Sequence, residues 1–131
     1  MKQSAAKLES ERPRVLVAEE DPRFRRIVRL GLEREGLEAI EAASVAECQA
    51  RLREGRVGVM IISSRLPDFD AQRLSAWLRC QFPTRAVPII ILSFDPEDRL
   101  LTQPLQLADF RRKPLDPAEL ASQVTRLMPT A

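Results

Sequence analysis

The chain has no histidine and no tyrosine, and only two cysteines, one tryptophan and four glycines among its 131 residues. Without histidine, a Ser-His nucleophile pair and a histidine-bearing zinc site are both excluded. Cys48 and Cys80 lack metal-ligand spacing and fall inside expected helices, so both read as reduced thiols in or near the core. Long apolar runs are missing as well: none reaches membrane-spanning length, and the first dozen residues lack the apolar stretch of a secretory signal. The expectation is a cytoplasmic protein with no membrane partner. Strong net charge is also absent, because 21 basic residues nearly cancel 19 acidic ones. So weak an overall field gives no reason to expect direct nucleic-acid binding.

What is present is an ordinary globular composition, 44% hydrophobic and 31% charged, at a length that suits one core. Residues 1–12 are polar apart from Leu8 and read as a tail, so the domain is expected over residues 13–131. From Arg14 onward, short aliphatic runs alternate with longer amphipathic ones, the pattern of parallel strands joined by crossover helices. Strands are expected at Val15 to Ala18, Leu37 to Ala42, Val57 to Ile62, Val87 to Leu92 and Leu107 to Arg111. The third is apolar almost without interruption, as a central strand covered on both faces should be.

The helices carry their own punctuation. Pro22 opens the first, whose inward face is read as Phe24, Ile27, Val28, Gly31 and Leu32. Ser44 with Glu47 forms a capping box for the second, with Cys48 and Leu52 inward. A third helix is expected near Asp70 to Cys80, with Leu74, Trp77 and Leu78 in the core. Asp95-Pro96 starts a fourth helix that Pro104 must cut short. Asp116, Pro117 and Glu119 begin a fifth that turns Leu120, Val124 and Leu127 inward.

In an open parallel sheet, ligands bind outside the carboxyl ends of the strands. Those ends carry Glu19 and Glu20, Ser63, Ser93 and Lys113. Two adjacent carboxylates, two hydroxyls and one ammonium can form a coherent pocket only if Lys113 or a divalent cation offsets the repulsion between the acids.

The segments Val15-Leu16-Val17-Ala18-Glu19-Glu20-Asp21-Pro22, Leu66-Pro67-Asp68-Phe69-Asp70, Pro88-Ile89-Ile90-Ile91-Leu92-Ser93 and Phe110-Arg111-Arg112-Lys113-Pro114 stand in this order, each at an expected strand end. Together they resemble the receiver domain of response regulators in two-component signalling. The resemblance implies a flavodoxin-like, doubly wound five-stranded parallel sheet of strand order 2-1-3-4-5 with helices on both faces, here with a shortened fourth helix. It also implies a site. In that family the acidic pair binds magnesium, an aspartate ending the third strand takes the phosphoryl group, a serine or threonine ends the fourth strand, and a lysine ends the fifth. Glu19 and Glu20 match the acidic pair, Ser93 the hydroxyl and Lys113 the lysine, but Ser63 stands at the phosphoacceptor position. Pro67 anchors that alignment, and neither Ser64 nor Asp68 is a natural substitute. Phe94 follows Ser93 where the family usually keeps a small side chain.

An alcohol is neutral at pH 7, so serine offers neither the acyl-phosphate nucleophile nor a carboxylate for the metal. The expectation is therefore a degenerate phosphorylation pocket with no catalytic residue and no metal, in a pseudo-receiver that binds a signalling or regulatory protein without a phosphorylation cycle. Arg23, Arg26 and Arg29 on the first helix, and Phe110, are candidate partner-binding residues. The alternative is a noncanonical receiver that still binds magnesium through Glu19 and Glu20 and accepts a phosphoryl group. A flavin binder is disfavoured because the first strand-end loop, Glu20-Asp21-Pro22, is acidic where a flavin phosphate needs hydroxyls and free backbone donors.

Overall fold

The third strand, β3 (Val57–Ser63), is buried along its whole length, and the sheet is built outward from it. Its neighbours are β1 (Arg14–Ala18) and β4 (Ile89–Ser93), flanked in turn by β2 (Ala39–Ala42) and β5 (Leu107–Arg112). The order is 2-1-3-4-5, as the family resemblance implies, and every pairing is parallel, as the sequence pattern predicts. The computed structural model describes residues 12–129. The expected tail, apart from Arg12, lies outside the described residues.

Because successive strand side chains point to opposite faces, each central strand feeds two cores. Leu16, Met60, Ile62 and Ile91 face one side, where helices α2 (Val45–Glu54) and α3 (Ala71–Gln81) supply Cys48, Leu52 and Leu74. Val17, Val59, Ile61, Ile90 and Leu92 face the other, where α1 (Pro22–Arg34) and α5 (Pro117–Leu127) supply Val28, Leu32, Leu120 and Val124. The fourth helix, α4 (Asp98–Leu101), is only four residues long.

One irregularity has a clear cause. The β1–β3 register slips between Arg14 and Val15, which leaves Gly58 as the extra residue. A Cβ on Gly58 would lie 2.9 Å from Pro129 and 3.0 Å from Pro13, so only glycine lets the two prolines close over the foot of the strand.

Several expectations need correction. Ile27, expected inward, is 50% exposed, and α1 holds the sheet through Val28 and Leu32 instead. The helix touches the sheet along a narrower stripe than its apolar content implies. Cys80 is exposed, whereas Cys48 is buried and its thiol is pushed up to about 12, first by burial and then by the nearby Asp68. β2 and β4 each begin two residues later than expected, at Ala39 and Ile89. For β4 the reason is Pro88, which has no N–H to give the ladder, although its carbonyl accepts from Met60 N at 2.9 Å.

The caps behave as the sequence indicates. Ser44 Oγ accepts from Glu47 N at 3.1 Å, and the Glu47 carboxylate reaches back to Ala43 N at 2.6 Å. A second cap on the same helix is supplied across the fold: Asp68 accepts from Val45 N at 2.7 Å and Ala46 N at 3.0 Å. Partial burial pulls the Asp68 pKa upward, but those amides and its own outweigh it and hold the carboxyl below the usual aspartate value. An aspartate with a depressed folded pKa stabilises the fold above its unfolded pKa of about 4, and that contribution disappears as pH falls through the folded value. Asp68→Ala should cost about 1 kcal/mol near pH 7 in urea unfolding, a modest cap because the side chain is exposed. The difference from the parent should narrow in the same titration as pH falls below about 4.

Candidate functional site

Parallel strands bring their carboxyl ends to one rim, and that rim collects most of the expected site. Glu19 follows β1, Ser63 ends β3, Ser93 ends β4 and Lys113 follows β5. Glu19, Ser63, Ser93 and Lys113 are all buried, at 0%, 0%, 1% and 7% exposure. The backbone fixes their heights: Glu19 N donates to Ala42 O at 3.1 Å, and Lys113 N to Ser93 O at 2.8 Å. The peptide after Lys113, to Pro114, is cis.

At the centre the Lys113 ammonium donates to Glu19 Oε1. The same nitrogen lies 3.5 Å from Ser63 Oγ and 3.9 Å from Glu20 Oε1. Glu19 Oε2 accepts from Asp21 N at 2.8 Å, so both oxygens of that carboxylate are engaged. Ser63 Oγ also accepts from Arg65 N at 3.2 Å. Glu20 Oε1 is buried without a hydrogen-bond partner.

Two aromatic rings close around the ammonium, with the Phe24 and Phe94 centroids each 5.2 Å from Nζ. The Arg65 guanidinium stands 5.1 Å from the Phe94 centroid, and Phe94 is 47% exposed. Lys113 is therefore held by one carboxylate and two π faces, an arrangement that suits a cation removed from water.

Electrostatics divides the acidic pair. Burial raises the pKa of Glu19, reinforced by Glu20 and opposed by Lys113 and the Asp21 amide. Burial also pushes Glu20 upward, but its contacts with Glu19 and Ser63, together with the charge of Lys113, bring it below the ordinary value. The two carboxylates titrate as a unit in which Glu19 holds a proton more tightly.

Ser93 is turned away from this centre. Its hydroxyl donates to Asp98 Oδ2 at 2.5 Å and accepts from Asp95 N at 3.0 Å. Ser64 Oγ donates to the same Asp98 oxygen at 2.8 Å. The rim thus holds two groups: Glu19, Glu20, Ser63 and Lys113 in one, and Ser64, Ser93 and Asp98 in the other. Sequence reasoning named neither Asp98 nor Phe24 as part of the site. Asp98 reads as one more acid in the run Asp95-Pro96-Glu97-Asp98, and Phe24 as an ordinary core position.

The candidate partner residues are scattered. Arg23 and Arg26 are exposed on α1. Arg29 is not free: its Nε lies 2.9 Å from Glu41 Oε2, and Glu33 stands 3.7 Å from its guanidinium. Phe110, expected at a contact surface, is 8% exposed and packs in the core on the α2 and α3 side, with the Arg99 guanidinium 5.3 Å above its ring.

Comparison with known proteins agrees with this fold. The family model of the response regulator receiver domain matches residues 15–125. The transcriptional regulatory protein AruR of Pseudomonas aeruginosa is 32% identical over 88% of this chain, which covers 49% of AruR. The chain spans about half the length of the curated relatives it matches. Among solved structures, a sensor protein from Polaromonas is 29% identical with a TM-score of 0.75, covering 88% of this chain and 95% of that one. The chemotaxis protein CheY4 of Vibrio cholerae, at 23% identity, shares the fold with a TM-score of 0.77 over 89% of this chain and 99% of its own.

Removing the cation should expose what it compensates. Lys113→Met should cost about 3 kcal/mol at pH 7, because it leaves Glu19 buried without a counter-charge. The loss should shrink as pH falls toward 5 and Glu19 takes up a proton, and Glu19→Gln in the same chain should recover most of it. Thermal unfolding of the parent, single and double variants at the two pH values measures each of these effects.

Proposed function

Because the chain belongs to the response regulator receiver domain family, we propose that it serves two-component signalling as a pseudo-receiver, a protein-interaction module that works without a phosphorylation cycle. The observation that carries this reading is the side chain at the end of β3, the hydroxyl of Ser63, lying 3.5 Å from a lysine already paired to Glu19. By family resemblance, Ser63 takes the place of the phosphoacceptor aspartate. A neutral alcohol cannot form an acyl phosphate, and with no histidine in the chain no imidazole base can activate it. Ser93 offers no ready hydroxyl either, since Asp98 and the Asp95 amide engage it.

Family membership implies magnesium, and the donor set does not fit it. Magnesium takes oxygen ligands in near-ideal octahedral geometry. Both oxygens of Glu19 are engaged, the third position is a neutral hydroxyl, and the open oxygen of Glu20 faces an ammonium 3.9 Å away. Lys113 supplies the charge compensation that a divalent cation would otherwise provide. That open Glu20 oxygen favours the alternative of a metal-binding receiver, and a magnesium titration separates the two readings.

On this reading, function lies on the surface and the partner is a signalling or regulatory protein in the cytoplasm, with no direct role in binding nucleic acid. Arg23 and Arg26 remain available, and Ile27 and Leu30 on the same helix are 50% and 43% exposed. An apolar strip flanked by guanidinium groups suits a partner with acidic residues around an apolar contact. Arg29 does not belong to it, because Glu41 and Glu33 hold it.

Incubation with magnesium and acetyl phosphate, read by intact mass, should add no phosphate to the parent chain. Ser63→Asp should acquire a labile phosphate if the remainder of the pocket is competent. Phosphate on the parent would overturn the proposal.

A further inference from the structure

At the opposite end of the sheet from Glu19 and Lys113 there is a cavity that the signalling reading does not use. It is a half-open hollow between α3 and the amino ends of β4 and β5, with a volume of about 160 Å³. It exists because α4 is a single turn: the chain from Thr102 returns through turns to β5 and leaves the space beside α3 uncovered. Ser75 Oγ ties the two sides together by donating to Pro104 O at 2.7 Å.

The lining has two characters. Leu78, Phe82, Val87 and Leu105 make an apolar floor and walls, and Arg79 and Arg85 stand at the margin. Arg85 uses one Nη2 donor on Val57 O at 2.7 Å, which fixes its stem, and the rest of its guanidinium has no partner among the described residues. Arg79 is exposed and joins no ion pair among the described residues. Among the described residues, no aspartate or glutamate lines the cavity. Two guanidinium groups beside an apolar hollow with no acid to neutralise them fit a carboxylate attached to a small apolar body. The volume matches that body, since a cavity of about 150 Å³ accepts a benzene ring.

We propose that this cavity binds a small amphipathic carboxylate, with an aryl or short alkyl group against Leu78, Phe82, Val87 and Leu105 and the anionic head on Arg79 and Arg85. The size argues for a free small molecule over a partner segment, because a single ring fills it. The site is remote from Ser63, so the proposal stands or falls independently of the phosphorylation reading.

Phenylacetate and hexanoate, titrated into the full chain, serve as probes, with phenylacetamide as the neutral counterpart of the first. Trp77 is the single tryptophan, and its ring meets the ring of the cavity-lining Phe82 edge-on at 5.9 Å, so its fluorescence reports the cavity through Phe82. Saturable binding of at least one carboxylate is expected, with backbone amide shifts concentrated at Leu78, Phe82, Val87 and Gln106. Arg79→Glu should weaken it by about tenfold or more, the loss expected when an ionic hydrogen bond becomes a repulsion. Arg79 is exposed, so this variant leaves the fold intact, and Arg85→Gln provides the second case. The proposal is overturned if neither carboxylate saturates, if phenylacetamide binds as tightly as phenylacetate, or if both variants keep the parent affinity. Saturable binding of an acidic amphipathic peptide with neither small carboxylate bound would also overturn it, by assigning the groove to a protein segment.

Discussion

An ammonium and a carboxylate removed from water meet where β1 and β5 end, and the surrounding rim is organised around that pair. Burying two charges costs several kcal/mol each unless the remaining donors and acceptors are satisfied. Here the second oxygen of Glu19 takes the Asp21 amide, the first turn of α1 thereby lies against the site, and two phenylalanine rings face the lysine. The contact also spans the sheet, because β1 and β5 are separated by β3 and β4. A Lys113–Glu19 pair therefore holds together strands that share no backbone hydrogen bond.

The same pair accounts for the chemistry proposed for the rim. With an aspartate at the end of β3, a third carboxylate would compete for Lys113 and call for a metal. With Ser63 there, one lysine meets two acids; burial, and then the neighbouring Glu20, raises the pKa of Glu19, and Glu20 Oε1 keeps no hydrogen-bond partner. Asp98 supplies a second organising contact by accepting from Ser93 and Ser64 together, which joins β4 to the loop after β3. Both contacts favour one arrangement of the rim.

Shortening of α4 has its effect at the other end. Where a longer helix would lie over the sheet, a single turn leaves the space beside α3 open and basic at its margin. The described surface thus has two separate features of unusual chemistry, an occupied rim at the carboxyl ends and an open hollow at the amino ends.

Much of this was legible from residue order. Apolar runs of strand length, a serine-glutamate capping box and prolines at first helical turns determined the succession of elements, and the resemblance of the strand-end segments supplied the strand order. The residues that gather at the rim followed, because parallel strands must deliver Glu19, Ser63, Ser93 and Lys113 to the same side. Tertiary structure alone decided which of them touch. It turned Ser93 toward Asp98, paired Arg29 with Glu41, buried Phe110 and left Ile27 in solvent. Hydrophobic periodicity places a residue on a face of its own element, but the direction of a side chain and the partner of a charge depend on elements far away in sequence. Glu19 and Lys113 are 94 residues apart, and only closure of the sheet brings them into contact.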